Sequence, residues 1–356
     1  MVELQDIFKQ FGSTFLQNYN LSPVQAKAFA AIMNCRTSVL GAHVDTCQEC
    51  GFNKISYNSC RNRHCPKCQS FTRAQWVDKQ NQYLLNINYF HVVFTLPEQL
   101  NAILLQNQET VYPLFFKAVS ETLLTLCADK KYLGALPGIT SVLHTWGQNL
   151  LYHPHIHCIV TGGGLTVNRQ WRASRKNFFI PVKVLSRMFR GKFLAFLRQA
   201  LFSFDPGLYQ KEWVVYCKPP FKDASKCFEY LGRYTHRVAI SNHRIVSLIN
   251  GKVTFSWRDY RDGGKQKYMT VSATEFIRRF MLHILPSGFH KIRHYGILAP
   301  RNKSSNISLC KKLTSTVFQH GLSPVSSLVL LRSLFGVDFN RCPCCGIGFL
   351  SRASPA

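Results

Sequence analysis

The alternation of strand-like and helix-like stretches predicts an α/β or α+β fold for the central body of the chain. Runs rich in β-branched and aromatic residues, such as Tyr89–Leu96, alternate with long amphipathic stretches. The 356 residues are 46% apolar and include 27 Phe and 14 Tyr, which is enough to build a hydrophobic core. Residues 41–70 depart from this pattern, since they are dense in Cys, Gly, Asn and Arg, and they predict a small module held together by metal.

The periodicity of the apolar residues and the turn residues between them predict the elements in order. Helices are predicted at 1–35 (two), 72–86, 98–129 (interrupted near Pro113), 182–202, 224–234 and from 273 to before Pro286, and strands at 89–96, 139–148, 155–161, 213–217, 244–249 and 252–257. A capping box at Ser22 with Pro23 at the first helical position begins the second helix. Asn250-Gly251 between two strands is typical of a β-hairpin.

The basic excess predicts a polyanionic partner, of which nucleic acid is the commonest. The chain has 44 Lys and Arg against 17 Asp and Glu, a net charge of +27, yet charged residues make up only 17% of it. Acidic residues are therefore scarce, as expected for a surface that faces phosphates. Glu3 and Asp6 do not fit a signal peptide, and we see no uncharged apolar run of about 18 residues. We expect no membrane partner and a reducing cytoplasm, where the 14 cysteines favour metal over disulfides.

Two Cys-x2-Cys pairs separated by fourteen residues predict a zinc site. The span between them is too short to bury a core without metal. We expect one tetrahedral Zn²⁺ ion bound by Cys47, Cys50, Cys65 and Cys68. Cys60 or His64, which lie between the pairs, is an alternative ligand.

A further Cys-x2-Cys half-site, Cys342 and Cys345, lies near the end of the sequence. Its partners would have to come from elsewhere in the chain, such as Cys310 or His320. Zinc binding and structural thiols are both open interpretations of this half-site.

His155 and His157 lie in a run that predicts a buried strand. Residues i and i+2 of a strand point to one face, so both imidazoles can reach one cation while Ile156 enters the core. We expect Gln148, seven residues upstream on the neighbouring strand, to supply the third ligand. Two imidazoles, one neutral oxygen and open positions suit Mg²⁺ or Mn²⁺ holding a phosphate.

His153, with His155 and His157, also resembles the histidine triad of nucleotide hydrolases, in which a histidine is the nucleophile. Pro154 breaks the apolar alternation of that pattern. The cysteine module and the basic charge also make a small nucleotide a poor match as substrate.

Tyr230 and Tyr234 are four residues apart on a predicted helix and therefore share a face, as do Arg233 and Arg237. A phenol with an ordinary pKa of about 10 is a poor nucleophile, but a metal on the scissile phosphate and a nearby arginine would ease its attack. The resulting phosphotyrosine ester would keep the bond energy for rejoining strands. The alternative is that the two aromatic rings simply pack into the core.

Five motifs resemble, in wording and order, those of the insertion-sequence-ninety-one family of rolling-circle transposases, which belong to the His-hydrophobic-His (HUH) endonucleases. They are CRNRHCPKC, HVVFTLP, WGQNLLYHPHIHCIVTGGGL, YLGRYTHRVAISNHR and LPSGFHKIRHYG, and the match runs from about residue 20 to residue 300. The resemblance implies an α+β fold with an HUH-type nuclease domain. In that domain a central antiparallel sheet is flanked by helices, the histidines lie on a middle strand and the tyrosine helix lies beside it.

This resemblance also implies a domain order and a set of site residues. We expect an N-terminal helical segment (1–40), a zinc-binding module (41–72), the HUH nuclease domain (73–290) and a basic C-terminal region (291–356). The family's metal-binding histidines map onto His155 and His157, with Gln148 added by analogy to related nickases. Its nucleophiles map onto Tyr230 and Tyr234, and its zinc ligands onto the four cysteines of the two upstream pairs. We expect phosphate contacts from Arg61, Arg63, Arg233 and Arg237.

The implied function is that of a bacterial, cytoplasmic and nucleoid-associated DNA transposase. Its partners would be single-stranded or hairpin transposon ends and target DNA, cut through a 5′-phosphotyrosine with structural Zn²⁺ and catalytic Mg²⁺ or Mn²⁺. Two other classes stay open. A plasmid or phage replication initiator or relaxase would share the nicking chemistry, and a zinc-ribbon DNA-binding protein would have no nuclease activity.

Overall fold

The computed structural model describes residues 2–175, 179–221, 238–260, 262–316, 326, 329, 331–332, 336 and 338–352. Within them the chain is α+β, and its strands pair antiparallel, as the family resemblance implies. The helices are α1 (Leu4–Asn18), α2 (Pro23–Asn34), α3 (Pro66–Asn81), α4 (Asn101–Gln106), α5 (Gln108–Ala128), α6 (Val182–Gln199), α7 (Ala273–Met281) and α8 (Lys303–Leu313). The strands are β1 (Ala42–Cys47), β2 (Asn53–Tyr57), β3 (Tyr89–Thr95), β4 (Leu136–Trp146), β5 (Tyr152–Leu165), β6 (Trp171–Ala173), β7 (Val215–Phe221), β8 (Ile245–Ile249), β9 (Lys252–Asp259), β10 (Lys265–Ser272), β11 (Ile292–Gly296) and β12 (Leu350–Arg352).

The largest sheet has the order β11-β4-β5-β3-β7, with β6 paired to β5. Its middle strand is therefore β5, which carries His155 and His157. Alternate residues of β3 and β5, such as Phe94 and Ile156, are fully buried in the main hydrophobic core with α5 and α6. The opposite face of the sheet carries the histidines.

A second hydrophobic core joins the N-terminal helices α1 and α2 to α7 and to strands β8 and β9. Phe8 of α1 stacks on Phe29 of α2 with ring centroids 4.8 Å apart, and it meets the edge of Phe280 of α7 at 5.6 Å. Buried residues of β8 and β9, including Phe255, complete this core. Because residues of the expected 1–40 segment and of 239–284 share one core, the N-terminal helices pack directly on the central body. The segment boundaries themselves stay a prediction.

Two smaller sheets have three strands each. One has the order β12-β1-β2, so a strand near residue 350 pairs with one near residue 45. The other small sheet, β10-β9-β8, contains the predicted hairpin, which is confirmed. Asn250 and Gly251 have φ values of 50° and 70°, the left-handed pair that a type I′ turn requires.

The predicted helix at 98–129 is broken at Asn107 and not at Pro113. Asn107 has φ −130° and ψ 41°, outside the helical region, and its side chain donates to the carbonyl of Ile103. Pro113 lies inside α5.

By length and composition α5 could cross a membrane. It carries Lys117 and Glu121, so it is not the uncharged apolar run that we expected to be absent. Its side chains, among them Tyr112, Phe115 and Phe116, are instead buried against the sheet and α6. We therefore interpret α5 as a core helix.

Candidate active site and cysteine centres

Three histidines on two adjacent strands meet on the face of the sheet opposite the main core. We call His144 of β4 and His155 and His157 of β5 the histidine cluster, because their candidate ligand nitrogens all lie within 4.8 Å of one another. The register pairs His144 with His155, and His157 shares their face through the two-residue repeat of the strand. The two predicted metal-binding histidines are thus brought together, with an unpredicted third.

The structure corrects the position of Gln148. β4 ends at Trp146, and Gln148 lies in the turn that leads to β5, where its backbone carbonyl accepts a hydrogen bond from Arg244 at 2.5 Å. The prediction that Gln148 lies on the neighbouring strand is therefore wrong. The residue that faces the histidine pair from β4 is His144, which pairs with His155 because the strand register shifts by one residue between His144 and Trp146.

Hydrogen bonds to the second ring nitrogens orient two members of the cluster. Nδ1 of His155 lies 2.7 Å from the carbonyl of His153, so Nδ1–H donates and the lone pair lies on Nε2. Nδ1 of His157 lies 2.9 Å from Nε2 of His91, and the two rings are stacked with planes 9° apart. Such contacts fix the tautomer and the ring orientation of metal-binding histidines.

His91 is a functional candidate that the sequence did not single out. Burial, together with smaller electrostatic effects of Lys218 and His155, lowers the pKa of His91 to about 3. The ring is therefore neutral at physiological pH and can accept the Nδ1–H of His157 on its Nε2. The sequence signal that could have found His91 is its position in the predicted strand 89–96. It lies on the same face as Val93, which pairs with His157.

The donor set of the histidine cluster fits a divalent transition metal. It offers three imidazole nitrogens and, among the described residues, no carboxylate. A cation there would keep its full charge until a phosphate approaches. His153 is exposed and outside the cluster, although its ring centroid lies 5.4 Å from that of His155. The three-histidine grouping of the nucleotide-hydrolase alternative is therefore not the one that the fold assembles.

The predicted nucleophiles Tyr230 and Tyr234, with Arg233 and Arg237, lie outside the described residues. Just beyond this segment, Ala239 and Ile240 are buried in the same hydrophobic core as Trp146. The ring of Trp146 in turn stacks on His144, with centroids 4.5 Å apart.

The cysteines form two clusters and not the single site predicted from Cys47, Cys50, Cys65 and Cys68. The first cysteine cluster consists of Cys35, Cys60, Cys65 and Cys68, and the second of Cys47, Cys50, Cys342 and Cys345. In each cluster the four sulfurs lie within 4.8 Å of one another. The prediction failed because it paired the half-sites nearest in sequence, whereas the fold pairs each with cysteines on other elements.

The alternatives for the first cluster are now resolved. Cys60 is a member, with its sulfur 3.6 Å from that of Cys68. His64 is not, since its Nε2 accepts the backbone N–H of Leu285 at 3.3 Å. Burial lowers the pKa of His64 well below its ordinary value, so the ring is a neutral acceptor. Cys35, at the end of α2, was not predicted because it belongs to no Cys-x2-Cys pair.

Arg63 makes structural contacts with backbone carbonyls, and its phosphate contact stays a prediction. Its guanidinium donates to the carbonyls of Phe289 and Pro286, each at 2.5 Å, and of Leu285 at 3.3 Å. These bonds connect the loop of the first cysteine cluster to residues 285–289, which lie between α7 and β11. Arg61 is exposed, so its predicted phosphate contact stays open.

Two family models match this chain. A model described as "Transposase zinc-binding domain" matches residues 7–96, and one described as "Putative transposase" matches residues 138–306. The first region contains the whole first cysteine cluster but only Cys47 and Cys50 of the second. The other region contains the histidine cluster.

Two relatives match nearly the whole chain. "Putative transposase y4qJ" of Sinorhizobium fredii is 46% identical over 374 residues, covering 97% of this chain and 93% of the relative. The chain belongs to the insertion-sequence-ninety-one family of transposases. "Transposase for insertion sequence element IS801" of Pseudomonas savastanoi pv. phaseolicola is 28% identical, covering 96% of this transposase and 87% of the relative. Membership of this family makes DNA the partner of the chain and accounts for its +27 charge.

Proposed function

We propose that this transposase cuts and rejoins single-stranded DNA by rolling-circle chemistry at the histidine cluster of an HUH-type nuclease domain. The observation that carries the proposal is the meeting of His144, His155 and His157 on the middle of an antiparallel sheet. A divalent cation bound there would polarise the scissile phosphate and stabilise the charge that develops on its oxygens.

His144 replaces Gln148 as the proposed third ligand. With three nitrogen donors, the site favours Mn²⁺ over Mg²⁺, because Mg²⁺ prefers oxygen ligands and imidazole suits transition metals. His155 and His157 would bind through Nε2, since their Nδ1 atoms contact the His153 carbonyl and His91. His91 thereby acts as a positioning residue.

Tyr230 or Tyr234 is the proposed nucleophile. Its phenolic oxygen would attack the phosphorus, lose its proton to solvent or a nearby base, and displace the 3′-oxygen of the preceding nucleotide. The products are a 5′-phosphotyrosine and a free 3′-hydroxyl, and strand transfer reverses the step. The second tyrosine would serve the second cleavage.

Chain connectivity supports a tyrosine near the histidine cluster. Ala239 follows Tyr234 by five positions, so the length of the chain alone limits their Cα separation to about 18 Å. Ala239 belongs to the core of Trp146, whose ring stacks on His144.

The test is covalent capture. The full chain is incubated with Mn²⁺ and single-stranded DNA of the element's ends, labelled at either the 5′ or the 3′ end. We expect the 3′-labelled strand to become attached to protein while the 5′ label is released on a fragment with a 3′-hydroxyl. The Y230F/Y234F double variant should form no adduct.

Tyr216→Phe is the matched control. Tyr216 is exposed on β7 and faces the same side as His157, because both pair with Val93. Its variant should form the adduct normally. An adduct that persists in the double variant, or is lost in Tyr216→Phe, contradicts the assignment of Tyr230 and Tyr234.

A mobilisation assay between plasmids separates transposition from replication initiation. The wild-type chain should move a marker flanked by the element's ends into a second plasmid, and the double tyrosine variant should not. Nicking without insertion would favour the initiator or relaxase alternative.

A further inference from the structure

We propose that the second cysteine cluster binds a second zinc ion whose ligands come from opposite ends of the chain. Cys47 ends β1 and Cys50 lies in the turn after it, while Cys342 and Cys345 precede β12, almost 300 residues later. The region that matches the zinc-binding model ends at residue 96 and so includes only half of this site. The inference does not depend on the nuclease chemistry proposed for the histidine cluster.

The sulfur positions match tetrahedral zinc. The sulfurs of Cys50 and Cys342 are 3.6 Å apart, and those of Cys47 and Cys345 are 3.9 Å apart. Four sulfurs at about 2.3 Å from a central zinc ion are separated by about 3.8 Å from one another. A disulfide would bring a pair to about 2 Å, so these distances indicate four separate thiols around one position.

The two half-sites have the same backbone conformation. In the first, the N–H of Gly51 donates to the carbonyl of Cys47 at 3.1 Å, and Gly51 has φ +69°. In the second, the N–H of Gly346 donates to the carbonyl of Cys342 at 3.0 Å, and Gly346 has φ +67°. Both Cys-x2-Cys-Gly turns therefore use glycine at the same left-handed position.

Each turn also closes a pair of extended segments at its base. The N–H of Cys47 donates to the carbonyl of Phe52 at 2.9 Å, and that of Cys342 to the carbonyl of Gly348 at 2.8 Å. A further backbone N–H, that of Gly348, donates to the sulfur of Cys345 at 3.3 Å. Two such turns facing each other across four thiols make the ligand arrangement of a zinc ribbon.

Strand pairing joins the two halves independently of the sulfurs. β12 pairs with β1, so that Cys47 lies opposite Leu350 and Thr46 opposite Ser351. The Gln48 side chain also donates to the hydroxyl of Ser351 at 2.7 Å.

This sheet has little apolar packing to stabilise it. Val44, Ile55 and Tyr57 are 42%, 62% and 47% exposed. Among the described residues, no member of 42–57 or 341–352 belongs to a hydrophobic cluster. A small sheet without a core requires a metal or a disulfide to be stable, and the thiol arrangement fits the metal.

The test is zinc stoichiometry measured on the full chain by elemental analysis. We expect two zinc ions in the wild type and one in each of the double variants C47S/C50S and C342S/C345S. The quadruple variant should also keep one, because both pairs bind the same ion. Cys344→Ser is the matched control, since Cys344 is exposed in the same turn but outside the cluster, and it should keep two.

Three outcomes would overturn the proposal: a single zinc in the wild type, two zinc ions in C342S/C345S, or a quadruple variant that loses one more ion than either double variant. The ion retained at the first cysteine cluster reports that each variant is folded.

A rescue variant covers the case in which serine disrupts folding. Cys345→His preserves a zinc ligand, so it should keep two ions where Cys345→Ser keeps one. Equal zinc contents in these two variants would contradict the assignment of Cys345. In the cobalt-substituted protein, the thiolate charge-transfer absorption should fall in C342S/C345S and stay unchanged in Cys344→Ser.

Discussion

The histidine cluster and the two cysteine clusters are built in opposite ways. The histidine cluster takes all its residues from one hairpin, within fourteen positions of the chain, on a sheet whose other face is buried. The cysteine clusters collect residues from distant elements, and the second spans almost 300 positions. The sheet holds the histidines in place whether or not metal is bound, whereas the second cysteine cluster has no hydrophobic core of its own. Loss of metal should therefore lower activity at the histidine cluster and lower the stability of the fold at the cysteine clusters.

The largest expected effect is on stability at the first cysteine cluster. Cys65→Ser with Cys68→Ser should remove one zinc ion and lower the free energy of unfolding by at least about 4 kcal/mol, as loss of a structural metal does. Cys35 and Cys65 are fully buried in the core shared with α1 and α7, so that core should loosen. Chemical denaturation with zinc analysis measures both changes.

Cys344→Ser, an exposed cysteine outside both clusters, should change neither quantity. If the C65S/C68S variant unfolds at the same denaturant concentration as the wild type, the cluster is not a structural metal site and the contrast fails.

Removal of a ligand from the histidine cluster should lower the rate of DNA cleavage. His157→Ala should lower the rate of DNA cleavage by at least about 100-fold, because a metal on the scissile phosphate contributes several kcal/mol and each 1.4 kcal/mol is a factor of ten. Zinc content should stay as in the wild type. Single-turnover cleavage at saturating Mn²⁺ measures the rate.

His153→Ala is the matched control for this variant, since His153 lies on the same strand outside the cluster. Its hydrogen bond to His155 uses the backbone carbonyl, which alanine retains. Equal losses in the two variants would indicate damage to β5 and not removal of a ligand.

His91 should affect metal affinity more than the maximal rate. His91→Ala removes the acceptor for Nδ1–H of His157 and should raise the Mn²⁺ concentration for half-maximal cleavage by about 10- to 100-fold. The rate at saturating Mn²⁺ should change much less. A titration of cleavage against Mn²⁺ separates the two quantities.

His91→Gln offers an amide oxygen as the acceptor and should recover part of the affinity. A fall in the saturating rate with unchanged Mn²⁺ affinity would show that His91 does not act through the metal ligand.

The smallest effects separate the two arginines of the cysteine-rich region. Arg63→Ala should lower the free energy of unfolding by about 1.5 kcal/mol, because it removes charge-assisted hydrogen bonds to backbone carbonyls. Arg61→Ala should leave stability unchanged but weaken DNA binding uniformly across sequences, with a salt-dependence slope smaller by about one. Denaturation and DNA binding at several salt concentrations measure both variants.

The reverse pattern, with Arg63→Ala reducing the salt slope at unchanged stability, would restore the phosphate contact that the sequence predicted for Arg63.

The sequence by itself determined the features that depend on local spacing. The two-residue repeat of a strand placed His155 and His157 on one face, Asn250-Gly251 fixed the hairpin, and the motifs with their order identified the family. These properties depend on neighbours within a few residues, which a linear pattern records. The predicted tyrosine pair is local in the same sense, although it lies outside the described residues.

Only the tertiary structure decided which distant groups meet. Strand register and the end of β4 at Trp146 placed His144, and not Gln148, opposite the histidine pair. The pairing of β12 with β1 brought Cys342 and Cys345 to the turn of Cys47 and Cys50. The packing of α2 brought Cys35 to the cluster with Cys65 and Cys68. Cysteine spacing specifies that a half-site exists but carries no information about its partner, because the partner is set by packing between elements far apart in the chain.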